Sequence, residues 1–224
     1  NTYSPEELED FIKRVHKLLE KSHAAFCAEL KMDGVAVSVR YEKGTYVRAL
    51  TRGDGKKGDD ITANMKTILS VPLELSGSHI PDVLEVRGEV FMPHEMFQEQ
   101  NQKKEEAGEE VWANPRNAAA GSLKLLDPQE AAERKLSAVF YGISESCYEL
   151  ADTQIEVHEL LKKCGLPVFL HEHRTRCENL EEILKFADKI EKKRQTFPFD
   201  IDGIVVKVDA FKYHEILGAK GKSP

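Results

Sequence analysis

Lys31 stands between two carboxylates, Glu29 and Asp33, in the stretch Ala28-Glu29-Leu30-Lys31-Met32-Asp33-Gly34. A lysine attacks phosphorus only as the free amine, so a nucleophilic lysine needs other cations, a metal ion or partial desolvation around it. The competing reading is a surface turn leading into a strand, because a motif as short as Lys-x-Asp-Gly recurs by accident. The neighbours of the lysine decide between the two.

Several other stretches could supply such neighbours. Thr51-Arg52-Gly53-Asp54-Gly55-Lys56-Lys57-Gly58 is a glycine-rich loop that can bring backbone N–H groups and Arg52 close to a phosphate, or serve as a plain hairpin exit. Glu85, Arg87 and Glu89 share one face of an expected strand, where they meet solvent or line a pocket able to hold a hydrated Mg²⁺. Asn114-Pro115-Arg116 opens a helix with an alanine-rich body, suited to an anion or to close packing. Tyr141 ends a strand and could stack on a base or fill the core. Lys207 lies in a near-continuous apolar strand, where a cation is costly unless it faces a phosphate or carboxylate. His171 and His173 lack a third ligand, so a surface strand is expected there rather than a metal site.

Periodicity supplies the elements that must position these groups. Leu8, Phe11, Ile12, Val15, Leu18 and Leu19 repeat at helical spacing behind a Ser4 cap and Pro5, which predicts a helix over 4–21. Alternation predicts strands over 35–41, 45–51, 84–91 and 136–143, with a turn at Glu42-Lys43-Gly44. Helices are predicted over 61–69, with Asp59 or Asp60 as cap, and over 93–106, 153–164 and 179–195. A last strand is predicted over 199–208.

The chain has 224 residues, 32% of them charged, and a formal net charge of −7, so binding of nucleic acid by bulk charge is excluded while a local basic groove is not. Its four cysteines form no C-x-x-C pair, which argues against a zinc ribbon or a disulfide framework and fits a reducing cytoplasm. Neither a membrane-spanning apolar run nor a signal peptide is present. The start at Asn1 and the stop after Ala219–Pro224 suggest an excised piece of a longer protein.

Taken together, Lys31-x-Asp33-Gly34, Thr51-Arg-Gly-Asp-Gly, Glu85-Val-Arg-Gly-Glu89, Asn114-Pro-Arg-Asn-Ala-Ala-Ala-Gly-Ser-Leu and Asp202-Gly-Ile-Val-Val-Lys207, in that order, resemble the adenylation domain of the bacterial NAD⁺-dependent DNA ligases. The resemblance implies an α+β nucleotidyltransferase (ATP-grasp-like) fold, with antiparallel sheets flanked by helices and the nucleotide pocket between them. It implies residues 1–22 as a linking helix and 23–224 as the adenylation domain, cut before the last motif strand. The nicotinamide-mononucleotide (NMN)-binding, OB-fold, zinc-finger, helix-hairpin-helix and BRCT domains are expected outside the chain, and with them any zinc. By the same resemblance Lys31 attacks NAD⁺ to form lysyl-AMP, and AMP then passes to the 5′-phosphate of a nick that is sealed in replication and repair.

Site roles follow from the resemblance in the same way. Glu29 recognises the adenine edge, Asp33 and Gly34 complete the loop, and Arg52 approaches ribose and phosphate. Glu89 contacts ribose or a Mg²⁺ (or Mn²⁺) shell, Tyr141 stacks on adenine, and Lys207 neutralises the α-phosphate and helps keep Lys31 unprotonated. Arg116, Lys124 and Arg194 match positions used in the DNA steps, although the family usually has arginine where Lys124 stands. Nicked double-stranded DNA is the implied partner, and a bacterial cytoplasmic monomer is expected. The isolated chain is expected to join nicks poorly. Two alternatives remain at this level: an ATP-using RNA ligase or capping-type enzyme, and a non-catalytic AMP-binding remnant.

Overall fold

The computed structural model describes residues 4–21, 23–53 and 58–218. Helix α1 (Pro5–Leu19) starts where the Ser4 hydroxyl accepts from the Glu7 N–H at 3.2 Å, and ends at Glu20 in the left-handed region. Strands β1 (Phe26–Met32), β2 (Val35–Glu42) and β3 (Thr45–Thr51) follow, then the single turn α2 (Thr62–Met65) and strand β4 (Val83–Phe91). Next come α3 (His94–Glu106), α4 (Pro115–Leu123), α5 (Pro128–Glu133), β5 (Ser137–Ile143) and α6 (Gln154–Lys163). The chain continues with β6 (Arg174–Cys177), α7 (Leu180–Lys193), β7 (Ile201–Val208) and α8 (His214–Leu217).

The strands form two antiparallel sheets, ordered β6-β1-β7 and β3-β2-β4-β5. Because side chains alternate along a strand, each sheet offers one face to a core and one to its surroundings. Val37, Val39 and Tyr41 of β2, with Leu84 and Val86 of β4, pack against Ala118, Ala119 and Leu123 of α4 and Val157 and Leu161 of α6. Phe26, Ala28 and Leu30 of β1 pack into a second core with Leu8, Ile12 and Val15 of α1 and Ile183, Phe186 and Ile190 of α7. The other face of β1 bears Cys27, Glu29 and Lys31. The other faces of β4 and β5 bear Glu89 and Tyr141, and the two sets meet between the sheets.

Three local expectations change. The helix expected over 61–69 stops at Met65, where the Thr67 hydroxyl donates to the Asn64 carbonyl at 2.7 Å and the chain turns. Ile61, rather than Asp59 or Asp60, takes the N-cap position, and Asp60 accepts the Thr62 N–H at 2.9 Å from one residue earlier. His171–His173 form a 3₁₀ turn rather than a surface strand, because His173 is buried edge-on against Phe197 at 5.1 Å. The last strand begins at Ile201 instead of residue 199, since Phe197 and Phe199 stack on each other at 5.5 Å before the chain enters the sheet. Within the glycine-rich loop, 54–57 lie outside the described residues, as does the tail 219–224. Among the described residues no helix is long and apolar enough to cross a membrane.

Phe26 is fully buried under β1. Replacing it with alanine is expected to cost about 3–5 kcal/mol in urea unfolding, whereas Leu69→Ala, at a fully exposed side chain, is expected to stay within about 0.5 kcal/mol. Equal midpoints for the two variants would show that β1 does not form the floor of the second core.

Candidate active site

The site is built along one face of β1. Glu29 lies in the centre strand of its sheet and only 1% of its surface is exposed. Its Oε1 accepts from the Lys207 ammonium. Its Oε2 accepts from His158 Nε2 at 2.8 Å and Gln154 Nε2 at 3.3 Å, with the Cys27 thiol at 3.9 Å. Burial pushes the Glu29 carboxyl up, but the Lys207 charge and the His158 hydrogen bond outweigh burial and hold it below the usual carboxylate range. Burial and the Glu29 charge push the Cys27 thiol up, so it stays protonated.

Tyr141 roofs this end of the cleft. Its ring lies nearly parallel to Phe169, 6.1 Å between centroids, and the Lys207 Nζ sits 4.9 Å over it. The Tyr141 hydroxyl donates to Glu89 Oε2 at 3.0 Å. Burial lifts Glu89 to about 7, against the opposing hydrogen bond from Tyr141 and the Arg116 charge. Gly34 donates its backbone N–H to the same carboxylate. A Cβ on Gly34 would stand 2.3 Å from the Val90 carbonyl and 2.9 Å from Glu89 Cγ, so only glycine lets the loop after Asp33 come this close.

Lys31 occupies the open end of the same face, two residues beyond Glu29. Its ammonium is bonded to Asp202 at the start of β7, and both side chains are well exposed. The Lys31 hydrogen bond holds the Asp202 carboxyl below its ordinary range. Arg194 donates to the Ile201 carbonyl at 3.0 Å, and its charge reaches Asp202. From the second position of α4, Arg116 pairs with Asp33 at 3.3 Å, after Asn114 has capped that helix through the Asn117 N–H. Arg52 is held by its own N–H on the Ala36 carbonyl at 2.8 Å, and its charge reaches Tyr141.

The structure thus brings Lys31, Asp33, Arg116 and Arg194 to one end of the cleft and Glu29, Tyr141 and Lys207 to the other, with Gly34 and Glu89 between them and the Arg52 charge reaching Tyr141. Lys124 stands apart at the far end of α4, paired with Asp59 at 2.8 Å. Lys207, expected to neutralise the α-phosphate and help keep Lys31 unprotonated, bonds a carboxylate further along β1. The β1–β7 register sets Lys207 opposite Cys27, four residues from Lys31, and its ammonium is taken by Glu29.

Asp202 was expected only as the first residue of the motif that ends at Lys207, and Gln154 and His158 only as parts of the helix over 153–164. The signal for the latter pair was present: Gln154, Val157, His158 and Leu161 are spaced i, i+3, i+4, i+7, which puts two polar side chains on the buried stripe.

Among the described residues one group of three potential metal ligands is close enough to share an ion, Cys27, Glu29 and His158, within 4.8 Å of one another. These atoms already form a hydrogen-bonded set on Glu29, which also holds Lys207. Among the described residues Glu89 belongs to no such group.

A family model described as the NAD-dependent DNA ligase adenylation domain matches residues 1–224. A DNA ligase of Protochlamydia amoebophila (strain UWE25) is 54% identical over 224 residues, which is 100% of this chain and 33% of that protein. The chain therefore spans about a third of the length of the curated relative it matches.

Because the Glu89 carboxyl is lifted from 4.5 to about 7, the folded chain binds more protons than the unfolded chain between those values, and stability falls as pH rises through that window. The full shift corresponds to roughly 3 kcal/mol. Glu89→Gln is expected to flatten that part of the pH–stability curve in urea unfolding. Parallel curves for the two proteins would mean that Glu89 titrates normally.

Proposed function

The chain belongs to the NAD-dependent DNA ligase adenylation domain family, and from that premise we propose that Lys31 is the nucleophile of its first step. The Lys31 nitrogen attacks the adenylyl phosphorus of NAD⁺, a nitrogen–phosphorus bond forms, and the pyrophosphate P–O bond breaks. Nicotinamide mononucleotide leaves with the electron pair on its phosphate. The attacking amine must shed a proton, and Asp202 is the carboxylate in contact with it. Holding the reacting groups in line and stabilising the spreading negative charge is most of what a protein contributes to such a displacement. Arg116 and Arg194 provide cations around the open end of the cleft, and Arg52 provides one near Tyr141.

The observation that supports this reading best is the division of labour along β1. Glu29, Lys207 and Tyr141 form a polar, aromatic-roofed end suited to a base, and Lys31 lies two residues further along the same face. We assign Lys207 to the base end rather than to the α-phosphate. A base entering over Tyr141 meets an ionised carboxylate, an acceptor that suits the 6-amino group of adenine. The two-sheet cleft is assigned to the nucleotidyltransferase, ATP-grasp-like fold. Magnesium is given no protein-built cage; such an ion would come with the nucleotide's phosphates. In the longer protein, AMP is then transferred to the 5′-phosphate of nicked duplex DNA and the 3′-hydroxyl displaces it, with Arg116, Lys124 and Arg194 serving these DNA steps.

Intact-mass measurement with peptide mapping tests the assignment. An AMP adduct on Lys31, removed by added nicotinamide mononucleotide, is the expected result. Lys31→Ala is expected to form no adduct while losing under about 0.5 kcal/mol of stability. Asp202→Asn is expected to slow adduct formation roughly a hundredfold. An adduct that persists in Lys31→Ala would overturn the choice of nucleophile.

A further inference from the structure

His158 is wholly buried on α6, and the structure gives it one polar partner, Glu29, through Nε2 at 2.8 Å. Its Nδ1 is buried without a hydrogen-bond partner. A buried ring that leaves one nitrogen unsatisfied bears a cost that an apolar side chain of similar volume would avoid. Leu161, one turn along the same stripe, shows that this part of α6 accepts apolar side chains. With Glu29 ionised, the Nε2 that meets it bears the hydrogen.

The hydrogen-bond capacity of Glu29 is divided unevenly. Oε2 receives His158 and Gln154, with the Cys27 thiol nearby, whereas Oε1 receives Lys207 alone. A carboxylate oxygen accepts about two hydrogen bonds, so Oε2 is filled from the protein side and Oε1 keeps an open position. Gln154 also donates to the Tyr141 carbonyl, so the same turn of α6 sets both the carboxylate and the strand that bears the aromatic roof.

We propose that His158 is a positioning residue for purine discrimination: it locks the Glu29 carboxylate as an acceptor-only group with Oε1 turned to the cleft, so that the pocket takes a 6-amino purine and rejects a 6-oxo purine. The inference rests on the reading of Glu29 as the base-recognising residue. Without the His158 donor, Oε2 regains a free position and the carboxyl can rotate or take up a proton. As a neutral acid it can donate to a 6-oxo group, and discrimination weakens.

The test uses the full-length ligase, with NAD⁺ and its deaminated analogue, nicotinamide hypoxanthine dinucleotide, as adenylyl donors. For His158→Leu and His158→Met the KM for NAD⁺ is expected to rise about tenfold and the preference for NAD⁺ over the analogue to fall about tenfold, with kcat at saturating NAD⁺ little changed. His158→Gln, which restores a donor, is expected to recover most of the preference. Two hydrophobic replacements of different shape guard against one failing to fold, and thermal melts identify a variant that has.

Glu29→Gln separates the two levels of the claim. Unchanged discrimination in that variant would overturn the reading of the base site itself. Lost discrimination in Glu29→Gln, with intact discrimination in folded His158→Leu or His158→Met, would overturn the role of His158 alone. An equal loss of rate on both dinucleotides in the His158 variants would reduce it to a packing residue, and so would failure of His158→Gln to restore the preference.

Discussion

The buried charge of Glu29 is the constraint around which the two sheets are assembled. Removing a carboxylate from water costs several kcal/mol even after relaxation, and the cost is met only by partners of good geometry. Here those partners come from separate parts of the chain: Lys207 from β7, and Gln154 and His158 from α6. Because α6 packs in the core of the four-stranded sheet while β1 and β7 belong to the other sheet, compensating this one charge joins the halves. Asp209, at the end of β7, strengthens the joint. Its carboxylate accepts from the Ile155 N–H at 3.1 Å and its carbonyl from the Gln154 N–H at 2.8 Å, which fixes where α6 begins.

That joint sets the chemistry of the cleft through the period of a strand. Cys27, Glu29 and Lys31 project from one face of β1 at two-residue intervals, and burial relaxes along the series from the first two to the half-buried lysine. A strand therefore holds a desolvated carboxylate, Glu29, and a solvent-reaching amine, Lys31, at a fixed separation on one face. Gly34 extends the arrangement. With no side chain of its own, it lets the loop after Lys31 close onto β4 and hydrogen-bond Glu89.

Local pattern made much of this legible. The caps at Ser4, Asn114, Asp127 and Asn179 and the alternation in β2 and β4 mark the ends and faces of elements directly, since these effects act within a few residues. Partner choice was not legible in the same way. Lys31 meets Asp202 across 171 positions of sequence and Lys207 meets Glu29 across 178. Both pairings depend on the β1–β7 register, which shifts between Leu30 and Met32, and a shift of one residue would turn these side chains to the other face. Lys207 could be recognised as a cation needing a partner. Only the register shows that the partner is the buried carboxylate of Glu29.

Glu29 and Glu89 show how one residue type yields two groups of different character within a single cleft. Both are buried beside Tyr141, and burial raises each carboxyl. Glu29 receives an ammonium and an imidazole directly, and these outweigh burial. The direct donors to Glu89 are the neutral Tyr141 hydroxyl and Gly34 N–H, while the Arg116 guanidinium is engaged with Asp33 and acts on it without an ion pair, so burial prevails. One carboxyl is thereby held below the usual carboxylate range as an acceptor, and the other is lifted to about 7, where it can donate or accept. Environments that push the proton affinities of two like groups apart are a recurrent device for assigning separate roles within one site. In this cleft the assignment is made by where the cations go: one is placed directly on Glu29, while the nearest guanidinium to Glu89 is spent on its neighbour Asp33.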